Sequence, residues 1–168
     1  LYEQAGDKDK ASALSVARAR VLETALGDKA EAIARYAEVL KSKPSDADAI
    51  AALENLLGDQ THREAAARAV LLAYEHANDH RKQVSALHVI SEAARDAVDK
   101  VTALKRAAEI HTMHLRQPEQ AFASLAQAVR VTPDDTALRL LTKQAAEDAD
   151  AIDSYAEVLQ EIVDAGAG

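Results

Sequence analysis

The sequence predicts an all-α fold, an α-solenoid of about nine helices that stack as antiparallel pairs. Alanine, the residue with the highest helix propensity, makes up about a quarter of the 168 residues. Aromatic residues make up only 3% of the chain, too few for the core of a β-sandwich or barrel. One helix-then-proline pattern also occurs twice, 89 residues apart, which indicates stacked helical repeats. The two copies are Ala32, Tyr36, Val39 and Pro44, and then Ala121, Leu125, Ala128 and Pro133.

The first helices are marked by their end signals. The opening residues Leu1-Tyr2-Glu3 indicate the last turn of a helix that begins upstream in a longer protein, and the next helix is expected at 8–26. Gly27 ends that helix. Asp28 is predicted as the N-cap of the following one, with Glu31 as its reciprocal acceptor.

Later helix ends carry similar signals. Ser45 with Asp48, and Thr61 with Glu64, repeat the capping spacing. Pro118 suits a first helical position, while Pro44 and Pro133 are predicted to lie just beyond helix ends. The predicted helices span 8–26, 28–42, 46–57, 61–77, 80–95, 98–115, 118–131, 135–147 and 149–164.

Two of these helices show one apolar stripe each, with the i, i+3, i+4, i+7 spacing of a buried helix face. The stripes are Ala32, Ile33, Tyr36, Val39 and Leu40, and Ala121, Phe122, Leu125, Ala128 and Val129. Tyr36, Tyr74 and Tyr155 are predicted to pack between helices.

Further similarities extend the repeat. Residues 1–7 resemble 73–79, each ending in a residue that tolerates a left-handed conformation before Asp, and Val70-Leu71 matches Val158-Leu159 with an offset of 88. Residues 28–77 therefore correspond to 117–165, and the block 80–115 is predicted as an additional helix pair.

The spacing of Ala32, Tyr36, Val39 and Pro44 resembles the second helix of a tetratricopeptide repeat, as does that of its second copy. The chain departs from the family's first helix, because Leu26-Gly27 directly precedes the second helix and no tryptophan is present. The resemblance implies a right-handed superhelix whose concave face binds an extended peptide or a partner helix. It also implies that residues 1–168 form one repeat domain within a longer array, and the alanine-rich composition resembles that of large bacterial repeat proteins.

Composition excludes several classes of function. The absence of cysteine excludes disulfides, thiol catalysis and thiolate metal sites. The net charge is −8, and the acidic excess lies at the C-terminal end, where residues 131–168 hold two basic and nine acidic side chains. Nucleic-acid binding would need a basic stripe, and none is visible in the sequence. No apolar run approaches the roughly 20 residues needed to cross a bilayer. A cytoplasmic location is expected, with a removed targeting signal as the alternative.

The histidines are the first place to look for a metal site. His111 and His114 are three residues apart on a predicted helix, but Glu109 points away from His111 by about 200°. Surface or groove-lining roles are therefore favoured over metal binding. No phosphate-binding loop, nucleophile elbow or zinc-protease motif occurs, so neither an enzyme nor a cofactor is predicted.

Lys105, Arg106 and Glu109 interrupt an otherwise apolar helix and are the predicted partner-binding residues. An acidic or C-terminal peptide is the predicted ligand type. The predicted function is a non-catalytic scaffold for another protein, present as a monomer or weak homo-oligomer. The alternatives are a structural, self-associating module and a helical enzyme or metalloprotein that uses the histidines.

Overall fold

The structure is a computed structural model that describes the backbone of residues 2–166 and the side chains of residues 10–166. Within this range the chain forms nine α-helices and no strand, which confirms the predicted all-α class. No helix in the described range combines the length and apolarity required to cross a membrane. The helices are α1 (Tyr2–Thr24), α2 (Lys29–Ser42), α3 (Ala47–Leu56), α4 (Arg63–His76), α5 (His80–Ala93), α6 (Ala97–Ile110), α7 (Pro118–Val131), α8 (Thr136–Asp148) and α9 (Ile152–Gly166). A five-residue π-helical turn, His111–Leu115, continues α6.

The start of α1 differs from the prediction. Residues 2–24 form one continuous helix that passes through Gly6, so the predicted helix end before residue 8 is wrong. Leu1 lies outside the described residues. A single glycine lowers helix stability by about 1 kcal/mol, which a helix of 23 residues tolerates.

The predicted start of α2 is confirmed in its main feature. The Asp28 carboxylate accepts a hydrogen bond from the Glu31 amide at 3.0 Å, and Gly27 adopts φ +69° before it. The reciprocal bond is not made, because the Asp28 amide donates to the Leu22 carbonyl and Glu31 pairs with Arg35.

Two other predicted caps are wrong by one or two residues. Helix α3 is capped by Asp46 rather than Ser45: its carboxylate accepts from the Ala49 amide at 3.1 Å. Before α4, Asp59 accepts from the amides of Thr61 and His62, so α4 begins later than the predicted position 61. In both places a carboxylate, which is the stronger acceptor, replaces the predicted hydroxyl. Pro118 is at the first position of α7, as predicted.

The chain divides into two compact units, Leu1–Val89 and Ile90–Gly168. In the first unit, α2 packs against α1, α3 and α4. All five residues of the predicted α2 stripe are buried there, and Tyr36 and Leu40 are fully enclosed. This arrangement of each helix on its sequence neighbours is that of an α-solenoid.

The second unit repeats this arrangement. Helix α7 packs against α6, α8 and α9, and its predicted stripe is buried throughout. Leu125 lies in a core cluster with Leu104 of α6 and Leu138 of α8. Phe122 lies in a second cluster with Tyr155 and Val158 of α9.

The burial pattern corrects the predicted extra helix pair at 80–115. Buried Leu104 and Ala107 of α6 follow Val16 and Ala19 of α1 by 88 residues. Helix α7 follows α2 by 89 residues, and Pro44 and Pro133 both lie just beyond the ends of these helices. Helix α6 is therefore the counterpart of α1, and among the helices that the structure describes only α5 has no counterpart.

Candidate functional site

The first wall of the candidate site is the exposed face of α6. Asp96 begins this helix by accepting a hydrogen bond from the Val98 amide at 2.8 Å. Ala103, Leu104, Ala107 and Ala108 are buried, and Leu104 and Ala108 pack in a cluster with residues of α7. The remaining face of α6 lies in solvent. That exposed face carries Thr102, Lys105, Arg106 and Glu109, spaced at one helical turn.

The second wall is α8. Asp135 caps this helix by accepting from the Leu138 amide at 2.9 Å, and Leu138, Thr142 and Ala146 are buried. The buried Thr142 hydroxyl is satisfied because it donates to the Leu138 carbonyl at 2.8 Å. The residues that face the site are Leu141, Gln144, Ala145 and Asp148, again one turn apart.

Between the two walls lies a groove of about 600 Å³, wholly within the second unit. We call it the α6–α8 groove. Its floor is apolar, since buried Leu125 of α7 and Ala108 of α6 line it. The volume falls in the range of binding pockets.

The π-helical turn shapes one end of the α6–α8 groove. Buried His111 anchors the turn, with its Nδ1 atom 3.0 Å from the Gln117 Oε1 atom, and Arg116 closes it in a left-handed conformation. Thr112 and Met113 on this turn line the groove, and Met113 is 70% exposed. Single π-helical turns of this kind often occur at functional sites.

Apolar side chains at the groove remain in contact with water. Leu141 is 45% exposed, so the groove has one exposed apolar side chain on α8 and another, Met113, on the π-helical turn. A partner that covered them would gain about 25 cal/mol for each Å² of apolar surface removed from water.

Charge at the groove is mixed. Lys105 and Arg106 lie on α6, and Glu109 follows them by one turn. Asp148 contributes the second acid from α8, where its Oδ1 atom accepts a hydrogen bond from Gln144 at 3.2 Å.

Strongly shifted pKa values occur at packing contacts in the first unit. The Tyr36 hydroxyl donates to Glu23 at 2.9 Å, and burial together with this carboxylate raises the pKa of Tyr36 to about 12. The Tyr74 hydroxyl donates to Glu54 at 2.8 Å, and burial likewise raises the Tyr74 pKa. Lys82 also binds Glu54, and this hydrogen bond lowers the pKa of that carboxyl. These contacts hold neighbouring helices together.

Another such contact joins the start of α2 to the loop before α4. Lys29 Nζ lies 2.6 Å from Asp59, and the hydrogen bond from Lys29 holds the pKa of Asp59 well below its usual range. The His62 ring also contacts this carboxylate at 2.9 Å. Asp59 therefore links α2 to the start of α4.

The structure brings the three predicted partner-binding residues together on one face of α6. Of the predicted packing residues, Ala32, Tyr36, Val39, Ala121, Leu125 and Ala128 lie in the cores, whereas Pro44 and Pro133 are only half-buried. Tyr74 and Tyr155 are buried as predicted. Of the histidine pair, His111 is buried and His114 is exposed. Within the described residues, no group of three His, Asp or Glu side chains is placed to hold a metal ion.

Sequence reasoning missed the α8 wall and the π-helical turn. The predicted helix 135–147 ends one residue before Asp148, and Leu141 was not assigned a role. A signal for the wall is present, because α8 carries both Leu140 and Leu141 besides its buried Leu138, more large apolar residues than one stripe can bury.

A second groove, of about 650 Å³, lies in the first unit between α1 and α2. Its α1 side includes Ala17, Arg18 and Val21, which precede Lys105, Arg106 and Glu109 by 88 residues. The same face of the counterpart helix is thus open in both units. On the α2 side, Glu31 and Arg35 pair with each other at 2.7 Å.

Comparison with protein-family models, with curated proteins and with solved structures gives no match. The helical-repeat description therefore depends on the internal repeat and on the packing within each unit.

Proposed function

We propose that the chain is a non-catalytic interaction scaffold of the tetratricopeptide type, which binds a peptide or helix of another protein in the α6–α8 groove. The observation that carries this proposal is the groove itself: an apolar floor, exposed Met113 and Leu141 on its walls, and charged side chains around them. This combination of an apolar centre and a polar rim is typical of protein interfaces.

Binding would depend on preorganised shape. The walls belong to helices whose opposite faces are buried, so the receptor loses little conformational entropy when a partner docks. The resemblance to tetratricopeptide repeats also supports the α6–α8 groove as the binding surface. Helices α6 and α8 both occupy the position of the first helix in their pairs, and charged residues on such helices are the candidates for the binding face. A protein partner is favoured over nucleic acid, since Glu109 and Asp148 would repel phosphates.

Two neighbouring leucines allow a matched test. Leu141 lines the groove and Leu140, which is 70% exposed, does not. The Leu141→Glu variant is expected to lose its partner in a pull-down from the source cell, because one anchor residue at an interface contributes about 1–2 kcal/mol, roughly tenfold in affinity. The Leu140→Glu variant should retain it. Equal capture by both variants would show that the partner does not use this groove.

Self-association is the competing function, and the same variants address it. Sedimentation of the wild-type chain over a range of concentrations would reveal a dimer if the groove binds a second copy. If a dimer forms that Leu141→Glu abolishes and Leu140→Glu preserves, the groove binds a second copy of the chain and not another protein.

A further inference from the structure

Charge in the α6–α8 groove is separated along its length. Only residues 116–117 separate α7 from the end of the π-helical turn, and only residues 132–135 separate α7 from α8. Such short connections make neighbouring helices antiparallel, so α6 and α8 run in the same direction and their N-terminal ends lie at the same end of the groove. Lys105 and Arg106 precede Glu109 on α6, so among the charged lining residues of this helix they lie nearer that end. Glu109 is one turn further along, and Asp148 is the last residue of α8. One end is thus basic, the other is acidic, and the floor between them is apolar.

Lys105 and Glu109 of α6 are not paired with each other. Lys105 and Glu109 are four residues apart, but the lysine precedes the glutamate, which is the less favourable order for pairing on a helix. In the part of the chain whose side chains are described, Lys105 makes no ion pair with Glu109. A ligand charge could therefore bind each of them without breaking a contact between the two.

Asp148 lies at a position where its negative charge destabilises its own helix, α8. An acid in the last turn of a helix faces the negative end of the helix dipole, which is unfavourable by a few tenths of a kcal/mol. A local conflict of this kind is expected at functional positions. Asp148 also lines the groove, so its charge is available to a ligand there.

The walls favour a helical ligand. Residues 102–113 span about 16 Å at 1.5 Å per residue, and the lining residues of both walls recur once per turn. Side chains of a docked helix recur with the same spacing, so they can pack between those of the walls.

We propose that the α6–α8 groove selects an amphipathic helix with separated charges. Basic residues in its first turn would lie beside Glu109 and Asp148, aliphatic residues would cover Ala108 and Leu125, and acidic residues in its last turn would lie beside Lys105 and Arg106. The ligand helix would run antiparallel to α6, so its own dipole reinforces both charge contacts. This inference depends on the proposed function, and it replaces the predicted acidic peptide with a ligand that carries both charges.

Three synthetic peptides of about 12 residues test the inference against the full chain. All three share the same leucines at i, i+3 and i+7. They differ only in their ends: lysines first and glutamates last, glutamates at both ends, or lysines at both ends. Binding is measured by fluorescence anisotropy at low ionic strength, where exposed charges are least screened.

The wild-type chain is expected to bind the peptide with separated charges about fivefold more tightly than either single-charge peptide. Lys105→Glu with Arg106→Glu makes both ends acidic, so the preference should move to the lysine peptide. The double variant Glu109→Lys with Asp148→Lys makes both ends of the groove basic, so the binding preference should move to the glutamate peptide.

A matched control separates local charge from net charge. Lys10→Glu with Arg81→Glu changes the net charge as much as the first double variant does, but both residues are exposed in the first unit. This control should keep the wild-type preference. A preference that follows net charge alone would overturn the inference.

The remaining outcomes distinguish the two proposals. If all three peptides bind equally well and Leu141→Glu weakens them all, the groove binds helices without regard to charge, and only the present inference fails. If no peptide binds while circular dichroism shows the chain folded, the proposed function of the groove fails as well.

Discussion

At the scale of single residues, Asp46 and Asp135 are both helix N-caps, but their different surroundings imply different contributions to stability. Each begins its helix by accepting the amide hydrogen bond three residues on. Asp46 is also 8% exposed and accepts a second bond from the Ser12 hydroxyl at 2.8 Å, whereas Asp135 is exposed. Burial raises the pKa of Asp46, but the bonds from Ser12 and the Ala49 amide, together with the nearby Lys43 ammonium group, outweigh it, so the pKa lies below its ordinary value.

This difference predicts unequal costs for the same substitution. Asp46→Ala should lower the free energy of unfolding by about 2 kcal/mol and Asp135→Ala by about 1 kcal/mol, as measured by urea denaturation. Because the folded-state pKa of Asp46 is lowered, its contribution is present above the ordinary pKa of 3.8 and is lost as the pH falls below it. The difference between wild type and Asp46→Ala should therefore shrink in acid. A difference that stayed constant down to pH values well below 3.8 would contradict this role.

Tyr36 predicts the behaviour of the protein in alkali. Its pKa is raised from 10.0 to about 12, so the folded state favours the neutral phenol. This contribution is complete below pH 10.0 and is lost as the pH rises toward about 12, so the free energy of unfolding should fall across that window. Ultraviolet absorbance of phenolate, recorded beside circular dichroism, would show delayed ionisation. In Tyr36→Phe the alkaline loss of stability should be smaller.

At the scale of the helix, α8 has a favourable N-cap, Asp135, and an unfavourable negative charge, Asp148, in its last turn. Asp148→Asn keeps the oxygen that accepts from Gln144 and removes the negative charge at the helix end. The variant should gain about 0.5 kcal/mol, or about 1–2 °C in Tm, in thermal unfolding followed by circular dichroism. The control is Asp153→Asn in the first turn of α9, where an acid is favourable. It should lose stability, and a gain in both variants would show that net charge and not the dipole is responsible.

Helix identity could be predicted from sequence to different degrees along the chain. The α2 and α7 stripes were predicted residue by residue because their 3.6-residue period is uninterrupted. The caps at Ser45 and Thr61 were misplaced because a carboxylate lay within two residues of each. The π-helical turn could not be predicted, because its residue types also occur in α-helices and so it has no distinct sequence signal.

The sequence also showed one wall of the candidate site but not the other. Lys105, Arg106 and Glu109 interrupt an apolar helix, and that interruption is visible along the chain. Leu141 and Asp148 became candidates only when packing on α7 brought α8 beside α6, and such a spatial relation has no local sequence signal.

At the scale of the whole molecule, each compact unit depends on its own central helix. Tyr36→Asp should place a charge in a fully enclosed position of the first unit, and Leu125→Asp should place one in the buried core cluster of the second, beneath the groove. Each should cost at least about 4 kcal/mol, because a buried unpaired charge is among the most destabilising changes.

Hydrogen exchange would locate the damage. Amides of α2–α4 should lose protection first in Tyr36→Asp, and those of α7–α9 first in Leu125→Asp, since each stripe is buried by helices of its own unit. Unchanged thermal stability of Tyr36→Asp would contradict the repeat assignment.

The π-helical turn has a consequence for how the length of this chain can vary. Buried Leu104 and Ala107 of α6 follow buried Val16 and Ala19 of α1 by 88 positions, whereas the start of α7 and the α8 cap follow their counterparts by 89. The turn therefore absorbs one additional residue without moving the stripe before it or the helix starts after it. Deleting one residue from this turn is expected to leave an ordinary α-helix and an intact core, while it shortens the segment that presents Met113. Gains and losses of single residues should thus be tolerated here, at the edge of the groove, and rejected in the middle of α2 or α7.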